Sequence, residues 1–469
     1  MIGIGLDFGT TNSTLAVWEA DRITYIDLDA AAANPKIMPS ALYLDRAMGR
    51  SVGTAAIDRY LGDNRGRIVR LKRVKVGQIA MTFSTTDSQR AGHGRGDTTR
   101  VHQVSGYDDT ELPGRLFRGL KSFLGVAEQS RFKVFHRSFH IVALVTLILA
   151  EIRSVLERAG YDVGRGIHIG RPVRYVGGNG ANDVAVKRMT TACQNAGFDD
   201  VVFYPEPVAA GLSYLRTASA QPEHLLTFDF GGGTLDLCLL STRNGGFEVV
   251  ATRGLPIGGN HIDQQIMRNV IFPELGEGCA VKSSLSRPEP DSVFPFYRYQ
   301  DYLLNWQTSY MSNRPELMES ILAGIQSGPD ARRRLTRLWK LIRGNAVYAL
   351  LSATEAAKAE LSELEATEIR LDEVDLRLPF DRARLERVLE PTMERVDATA
   401  RALLADAGID AGDVDQVVCT GGSSQLVPVQ RWLAEVFPGR VEDFDYYRSI
   451  AGGLAIANAC ERELAAVQL

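Results

Sequence analysis

Asp229-Phe230-Gly231-Gly232-Gly233-Thr234, preceded by Leu225-Leu226-Thr227-Phe228 and followed by Leu235-Asp236-Leu237-Cys238-Leu239-Leu240, is an apolar run, an acid, a glycine turn and a second apolar run. The phrase occurs earlier as well: Ile2-Gly3-Ile4-Gly5-Leu6, then Asp7-Phe8-Gly9-Thr10-Thr11-Asn12-Ser13, then Thr14-Leu15-Ala16-Val17-Trp18. Each copy predicts a strand, a tight turn and a second strand, with a carboxylate closing the first strand. Such a turn lets successive backbone N–H groups converge on an anion and adds hydroxyl donors, while Asp7 or Asp229 is placed to hold a hydrated divalent cation. Glycine and hydroxyl residues are equally at home in ordinary β-turns, so one copy alone decides nothing. Its recurrence predicts two similar lobes whose turns clamp a nucleotide triphosphate between them.

The 469 residues are 45% apolar and 23% charged, with a net charge of −4. That is ample for two or three cored domains, and no basic excess points to nucleic acid or an anionic membrane surface. The five cysteines are scattered, odd in number and never paired as C-x-x-C, which fits a reducing cytoplasm. The histidines show no metal-ligand spacing, and acidic Asp7 comes too early for a secretory leader. Residues 141–150 form the strongest apolar run, too short to span a bilayer; with residues 151–158 they predict a core helix capped by Gly160.

Along the chain, residues 23–28 predict a third strand in the first lobe, and residues 247–251 predict its counterpart in the second. Residues 84–112, rich in Ser, Thr, Gly, Asp and Arg, read as an exposed insertion without regular structure. In Leu120-Lys121-Ser122-Phe123-Leu124-Gly125 a lone lysine sits among apolar neighbours. It is either a snorkelling surface lysine, which the residues by themselves favour, or a cation reaching phosphate. Glu206, in Pro205-Glu206-Pro207, stands at a strand-to-helix junction, where an acid either faces a ligand or stabilises the helix N-terminus. Gly258 and Gly259 fall in a glycine-rich turn, and residues 274–352 read as a helical segment whose Arg332-Arg333-Arg334 run is a solvated face. Glu355 and Lys358 lie on a predicted helix over 354–364. Gly421, Gly422 and Ser423 form a turn after the strand 414–420, where backbone donors suit a nucleotide. The small-residue helix 449–460 permits close packing.

Five of these segments, in this order, resemble the nucleotide-binding domain of the DnaK-type heat-shock chaperones, within the actin, sugar-kinase and heat-shock ATPase superfamily. They are Gly5-Leu6-Asp7-Phe8-Gly9-Thr10-Thr11-Asn12-Ser13, Glu206-Pro207-Val208-Ala209-Ala210-Gly211-Leu212, Phe228-Asp229-Phe230-Gly231-Gly232-Gly233-Thr234-Leu235-Asp236, Gly421-Gly422-Ser423-Ser424 and the helix containing Ala451-Gly452-Gly453. The resemblance implies an α/β, two-lobed actin-like ATPase fold, with ribonuclease H-like lobes, mixed sheets and a cleft between them. Lobe I would be residues 1–220, with an inserted subdomain at about 39–112. Lobe II would be residues 221–469, with a helical insertion at about 274–350 and the final helix 449–460 packing back toward lobe I.

The resemblance further implies ATP or ADP and Mg2+ as ligands. Gly9, Thr10, Thr11, Asn12 and Gly231 to Thr234 would hold phosphates, and Gly258, Gly259, Glu355, Lys358, Gly421, Gly422 and Ser423 would complete the nucleotide site. Asp7 and Asp229 would hold the metal; Lys121, Glu206, Asp229 and Thr234 would carry the chemistry, with Lys72 the competing phosphate lysine and Pro172 coupling the nucleotide state to lobe orientation. Where the family flanks adenine with two arginines, this chain has Ala359 and Gln425. The chain is similar to a shortened, YegD-like branch without the family's substrate-binding domain. The expectation is a cytoplasmic, monomeric slow ATPase with a protein client or co-chaperone, and no nucleic acid or membrane partner. A non-hydrolysing nucleotide-dependent binding module, a small-molecule kinase of the superfamily and an actin-like filament are the alternatives.

Overall fold

In the computed structural model the two glycine phrases are hairpins of matching register. Gly3–Phe8 pairs antiparallel with Asn12–Glu19, setting Asp7 opposite Thr14; His224–Phe230 pairs with Leu235–Ser241, setting Asp229 opposite Asp236. The structure describes residues 2–64, 67, 70–84, 97–162, 166–218, 221–242, 248–282, 292–306 and 308–460.

Each hairpin anchors a mixed sheet of the same strand order. In the first, Arg22–Tyr25, Asn12–Glu19, Gly3–Phe8, Ile167–Arg171 and Val201–Pro205 lie side by side, with Met38–Pro39 also against Asn12–Glu19. The second runs Glu248–Leu255, Leu235–Ser241, His224–Phe230, Gln416–Thr420 and Val441–Asp443. Both combine an antiparallel meander with two parallel strands, which need crossover segments to return the chain. This is the α/β architecture of paired mixed sheets that the repeat predicts.

Helices cover the sheets because their apolar residues recur at helical spacing. Ile141–Arg158 buries Ile141, Leu144, Val145, Ile148, Leu149, Ile152 and Leu156 on one face. It ends in a left-handed glycine: Gly160 has φ +86°, its N–H donates to Glu157 O at 3.0 Å, and Tyr161 N–H donates to Leu156 O at 3.2 Å. The helix Ser449–Ala459 is buried nearly all round. A Cβ on Gly5 would lie 2.3 Å from Ala451 O, and one on Gly453 would lie 1.7 Å from Ala209 O. Glycine at both positions therefore lets this helix touch the strand Gly3–Phe8 and the helix Glu206–Thr217 together.

The chain divides into two compact units, residues 1–63, 113–272 and 349–469 in one, and 64–112 and 273–348 in the other. The first contains both mixed sheets. In the second, part of the stretch expected to lack regular structure is instead a strand: Asp97–Asp109 pairs antiparallel with Leu71–Ser84, with a register shift between Lys75 and Gly77. Backbone pairing satisfies this polar segment where composition offered no apolar signal. Residues 85–96, part of the same expectation, lie outside the described residues. The helices Tyr297–Leu304, Pro315–Ile325 and Pro329–Arg343 also belong to this unit. On the last, Arg333 and Arg337 share Glu274, each at 2.7 Å.

Several element boundaries differ. The helix carrying Glu355 and Lys358 begins earlier than expected, at Val347–Glu360, the strand expected over 23–28 is Arg22–Tyr25, that over 414–420 is Gln416–Thr420, and that over 247–251 runs Glu248–Leu255. Its expected first residue, Phe247, and the turn Asn244-Gly245-Gly246 lie outside the described residues. Among the described residues no helix is long and apolar enough to cross a membrane.

Candidate nucleotide site

The two glycine turns meet over one cavity. Asp7, Gly9, Thr10, Thr11 and Asn12 line it from the first hairpin, and Asp229 with Gly231, Gly232, Gly233 and Thr234 line it from the second. The approach is so close that a Cβ on Gly232 would fall 2.0 Å from Thr11 Oγ1, and one on Gly233 2.8 Å from Thr10 Oγ1. Thr11 Oγ1 is buried and has no hydrogen-bond partner. A buried hydroxyl left over in this way costs stability unless something fills the cleft.

The second turn is braced from behind. Gly259 N–H donates to Gly231 O at 3.0 Å, Asn260 N–H donates to Gly232 O at 2.8 Å, and the Ser423 hydroxyl donates to Gly231 O at 3.0 Å. Gly258 packs so tightly that a Cβ there would lie 2.6 Å from Gly232 C and from Gly233 N. Gly421, at φ +78°, lines the cavity with Gly422 and leaves only 2.7 Å between a would-be Cβ and Asp229 Oδ1.

Lys121 sits on a single turn of tighter helix, Leu120–Phe123, entered through Gly119 at φ +68°. Its side chain is buried and its Nζ donates to Glu206 Oε1. Glu206 opens the helix Glu206–Thr217, with Pro207 in the first turn, so its carboxylate is held at a helix N-terminus as well as by the lysine. Glu206 thus lines the cavity and also opens a helix, and the snorkelling reading of Lys121 fails, since its ammonium points inward.

Carboxylates crowd this pair. Ligating oxygens of Glu206, Asp229 and Asp236 lie within 4.8 Å of one another. Burial, reinforced by Glu206, pushes Asp7 and Asp236 each up to about 7, with Lys121 opposing. Asp229 is raised well above the ordinary carboxylate value, by burial first and then by Glu206, Asp236 and Asp7. For Lys121 burial acts downward, but Glu206, Asp7 and Tyr175 outweigh it and raise its pKa above the ordinary value. Asp236 accepts from Val173 N–H at 2.8 Å through Oδ1, and this bond and one to Thr234 favour its ionised form against the larger effect of burial. An all-oxygen set of buried carboxylates suits a hard cation such as magnesium. The glycine cradle with its free hydroxyl suits phosphate, so the residues present fit both groups.

Not every expected residue lines the cavity. Gly258, Gly259 and Ser423 support the turn from behind it. Lys358 is paired with Asp263 at 2.8 Å and donates to Gly259 O at 3.3 Å, and Glu355 approaches Arg118 at 3.7 Å. Ala359 is exposed, and Gln425 donates its amide to Tyr447 Oη at 3.2 Å. Pro172 lines the cavity with Lys121, whereas Lys72 is exposed on the strand Leu71–Ser84 of the other unit. Sequence reasoning missed Asp236, Tyr175, Ser122, Tyr446 and Tyr447. Of these Asp236 had a signal, since it is the residue a hairpin must set opposite Asp229, and Ser122 follows Lys121 on the same short turn; the tyrosines arrive from loops whose course no local pattern fixes.

The model of the family described as Hsp70 protein matches residues 3–91, 181–277 and 342–459. The chain is 24% identical over 460 residues to a Chaperone protein HscA homolog of Bordetella petrii, covering 97% of this chain and 57% of that protein. It is 23% identical over 443 residues to the mitochondrial Heat shock protein SSC3 of Saccharomyces cerevisiae, covering 92% of this chain and 54% of that one. The chain thus spans little more than half the length of these curated relatives. With matching segments in both glycine hairpins and in the closing helix Ser449–Ala459, the chain belongs to the Hsp70 family.

Proposed function

We propose that this chain binds ATP with magnesium and hydrolyses it slowly, and that closing and reopening of the cleft switches a surface for a protein client or co-chaperone. The observation that carries the reading is the meeting of two glycine turns over one cavity that also holds the buried Lys121–Glu206 pair and the acids Asp7 and Asp229, with Asp236 close behind. Family membership supports a chaperone-type ATP-binding domain.

In this reading Thr10, Thr11 and Gly231 to Thr234 cradle the β- and γ-phosphates with backbone and hydroxyl donors. Asp7 and Asp229 would hold magnesium through water, and the ion supplies charge neutralisation on the phosphate oxygens when bound. Lys121 neutralises charge that develops on the transferring phosphoryl group, and Glu206 with Asp229 or Thr234 orients the attacking water. Water adds to the γ-phosphorus as its bond to the bridging oxygen breaks, leaving ADP and phosphate. Gly421 and Gly422 bound the site on the far side of Asp229, with Glu355 and Lys358 toward the ribose.

A second reading, nucleotide-dependent binding without turnover, is favoured by one observation: Ala359 and Gln425 stand where the family resemblance places arginines, and Gln425 is engaged with Tyr447. Equilibrium binding of ATP and single-turnover hydrolysis, with and without magnesium, separate the two for the native chain, Lys121→Ala and Asp229→Ala. Slow native hydrolysis, lost in Lys121→Ala with binding kept and impaired in Asp229→Ala, supports the ATPase. Binding without turnover in every version supports the second reading, and no binding at all removes both.

A further inference from the structure

The turn that carries Lys121 is a single one, and the chain leaves it without continuing as a helix. Backbone N–H groups hold part of this exit, Val126 N–H donating to Phe123 O at 3.2 Å and Gln129 N–H to Val126 O at 3.3 Å. One side chain from another element adds donors to the same run of carbonyls. Arg188, on the helix Ala181–Asn195, donates through Nη1 to Phe123 O at 3.2 Å, Leu124 O at 2.8 Å and Val126 O at 2.9 Å, and through Nη2 to Ala127 O at 3.2 Å. Four carbonyls on one guanidinium fix the exit of the Lys121 turn to that helix. The same exit is packed closely, since a Cβ on Gly125 would meet Val176 O at 2.5 Å and Ala181 Cβ, at the start of the helix that carries Arg188, at 3.1 Å. Nothing in the sequence around Arg188 announces this, because its partners are backbone atoms more than sixty residues earlier.

We propose that Arg188 is a positioning residue for Lys121: its guanidinium holds the 120–127 segment at the height that places the lysine beside Glu206 and the glycine turns. The inference rests on the ATPase reading for its consequence, though not for its geometry. A lysine cannot replace it, because a single ammonium lacks the planar fork that reaches several carbonyls at once. Beside the guanidinium opens a cavity of about 530 Å³, lined also by His140, Lys187, Thr191 and Asn195. It gives a small cation a route to the same carbonyls once the arginine side chain is removed.

The test uses the full chain with R188A and R188K, read by nucleotide affinity, single-turnover hydrolysis, and amide hydrogen exchange over residues 119–127, each with and without millimolar methylguanidinium. A displacement of the lysine by about 1 Å is expected to slow hydrolysis on the order of 100-fold while affinity stays within about twofold. Both variants should show faster exchange in 119–127, and methylguanidinium, but not methylammonium, should restore R188A in both readouts. Native-like exchange and turnover in R188A overturn the proposal, as does a loss that tracks a falling folded fraction and ignores methylguanidinium. If the native chain hydrolyses nothing, the ATPase reading fails by itself, and exchange with its rescue still decides whether Arg188 holds the segment.

Discussion

Lys121 Nζ donates to Glu206 Oε1 across 85 residues of chain, and the two side chains are only 7% and 8% exposed. The pair is surrounded by acids, so removing the cation leaves Glu206 buried beside Asp229 and Asp236 without compensation. Breaking a buried ion pair from one side costs roughly 3–5 kcal/mol, whereas removing both charges costs far less. Lys121→Met is therefore expected to lower the urea unfolding free energy of the nucleotide-free protein by about that amount, and Lys121→Met with Glu206→Gln to recover most of it. A single-variant loss below about 1 kcal/mol would show the pair to be solvated in solution.

The free protein should lose stability as pH rises from mildly acidic to neutral. Burial, and then Glu206, push Asp236 in the folded chain up to about 7 from an ordinary 3.8. Between those values the folded state keeps a proton that the unfolded chain has released, so this contribution is full below about pH 4, declines through the window and is gone above about pH 7. The slope is at most about 1.4 kcal/mol per pH unit for each such group. Asp236→Asn keeps an acceptor for Val173 N–H and is expected to flatten the slope in urea titrations from pH 5 to 8; an unchanged slope would assign it to other groups.

Two glycines of the site should respond differently to alanine. At Gly258 the new methyl would meet backbone, Gly232 C and Gly233 N at 2.6 Å, which can yield only by moving the phosphate turn. At Gly232 it meets the Thr11 hydroxyl at 2.0 Å, which can rotate away. Gly258→Ala is expected to weaken ATP binding by more than about tenfold, the equivalent of 1.4 kcal/mol, and Gly232→Ala by less. Isothermal titration of both variants checks the order, and the reverse order would mean that the Thr11 hydroxyl itself is indispensable to the ligand.

Gly453→Ala tests the packing of the closing helix apart from chemistry. Its Cβ would fall 1.7 Å from Ala209 O, so the helices Ser449–Ala459 and Glu206–Thr217 must separate. Overpacking of this kind costs typically about 1–3 kcal/mol. Because Glu206 begins the second helix, the strain should reach turnover as well as thermal stability, and a variant with lowered Tm and native hydrolysis would show that the helix start is insulated from its packing.

The paired hairpins, their acids and the core helix ending at Gly160 were legible because each is a local pattern: alternation of chain direction at a glycine turn, or apolar spacing with a left-handed cap. Asp236 was legible in principle, as the register partner of Asp229. The strand Asp97–Asp109 was not, because its pairing with Leu71–Ser84 depends on a separate segment and its polar composition mimics a loop. Lys121 shows the same limit at the site. Its neighbours argue for a snorkelling surface lysine, and only the approach of Glu206 from another segment turns it inward.

What the amino-acid order determined by itself is the repeat: two strand–acid–glycine–strand units, and with them the residues whose backbone and hydroxyl groups line the cavity. What only the tertiary structure decided is the company those units keep, namely which lysine faces the acids, which carboxylates share a volume small enough to alter one another's ionisation, and that Gly258, Gly259 and Ser423 brace the turn from behind. The division has a physical cause. Turn and strand preferences act over a few neighbouring residues, whereas charge coupling and close packing depend on distances between segments that the chain brings together only on folding.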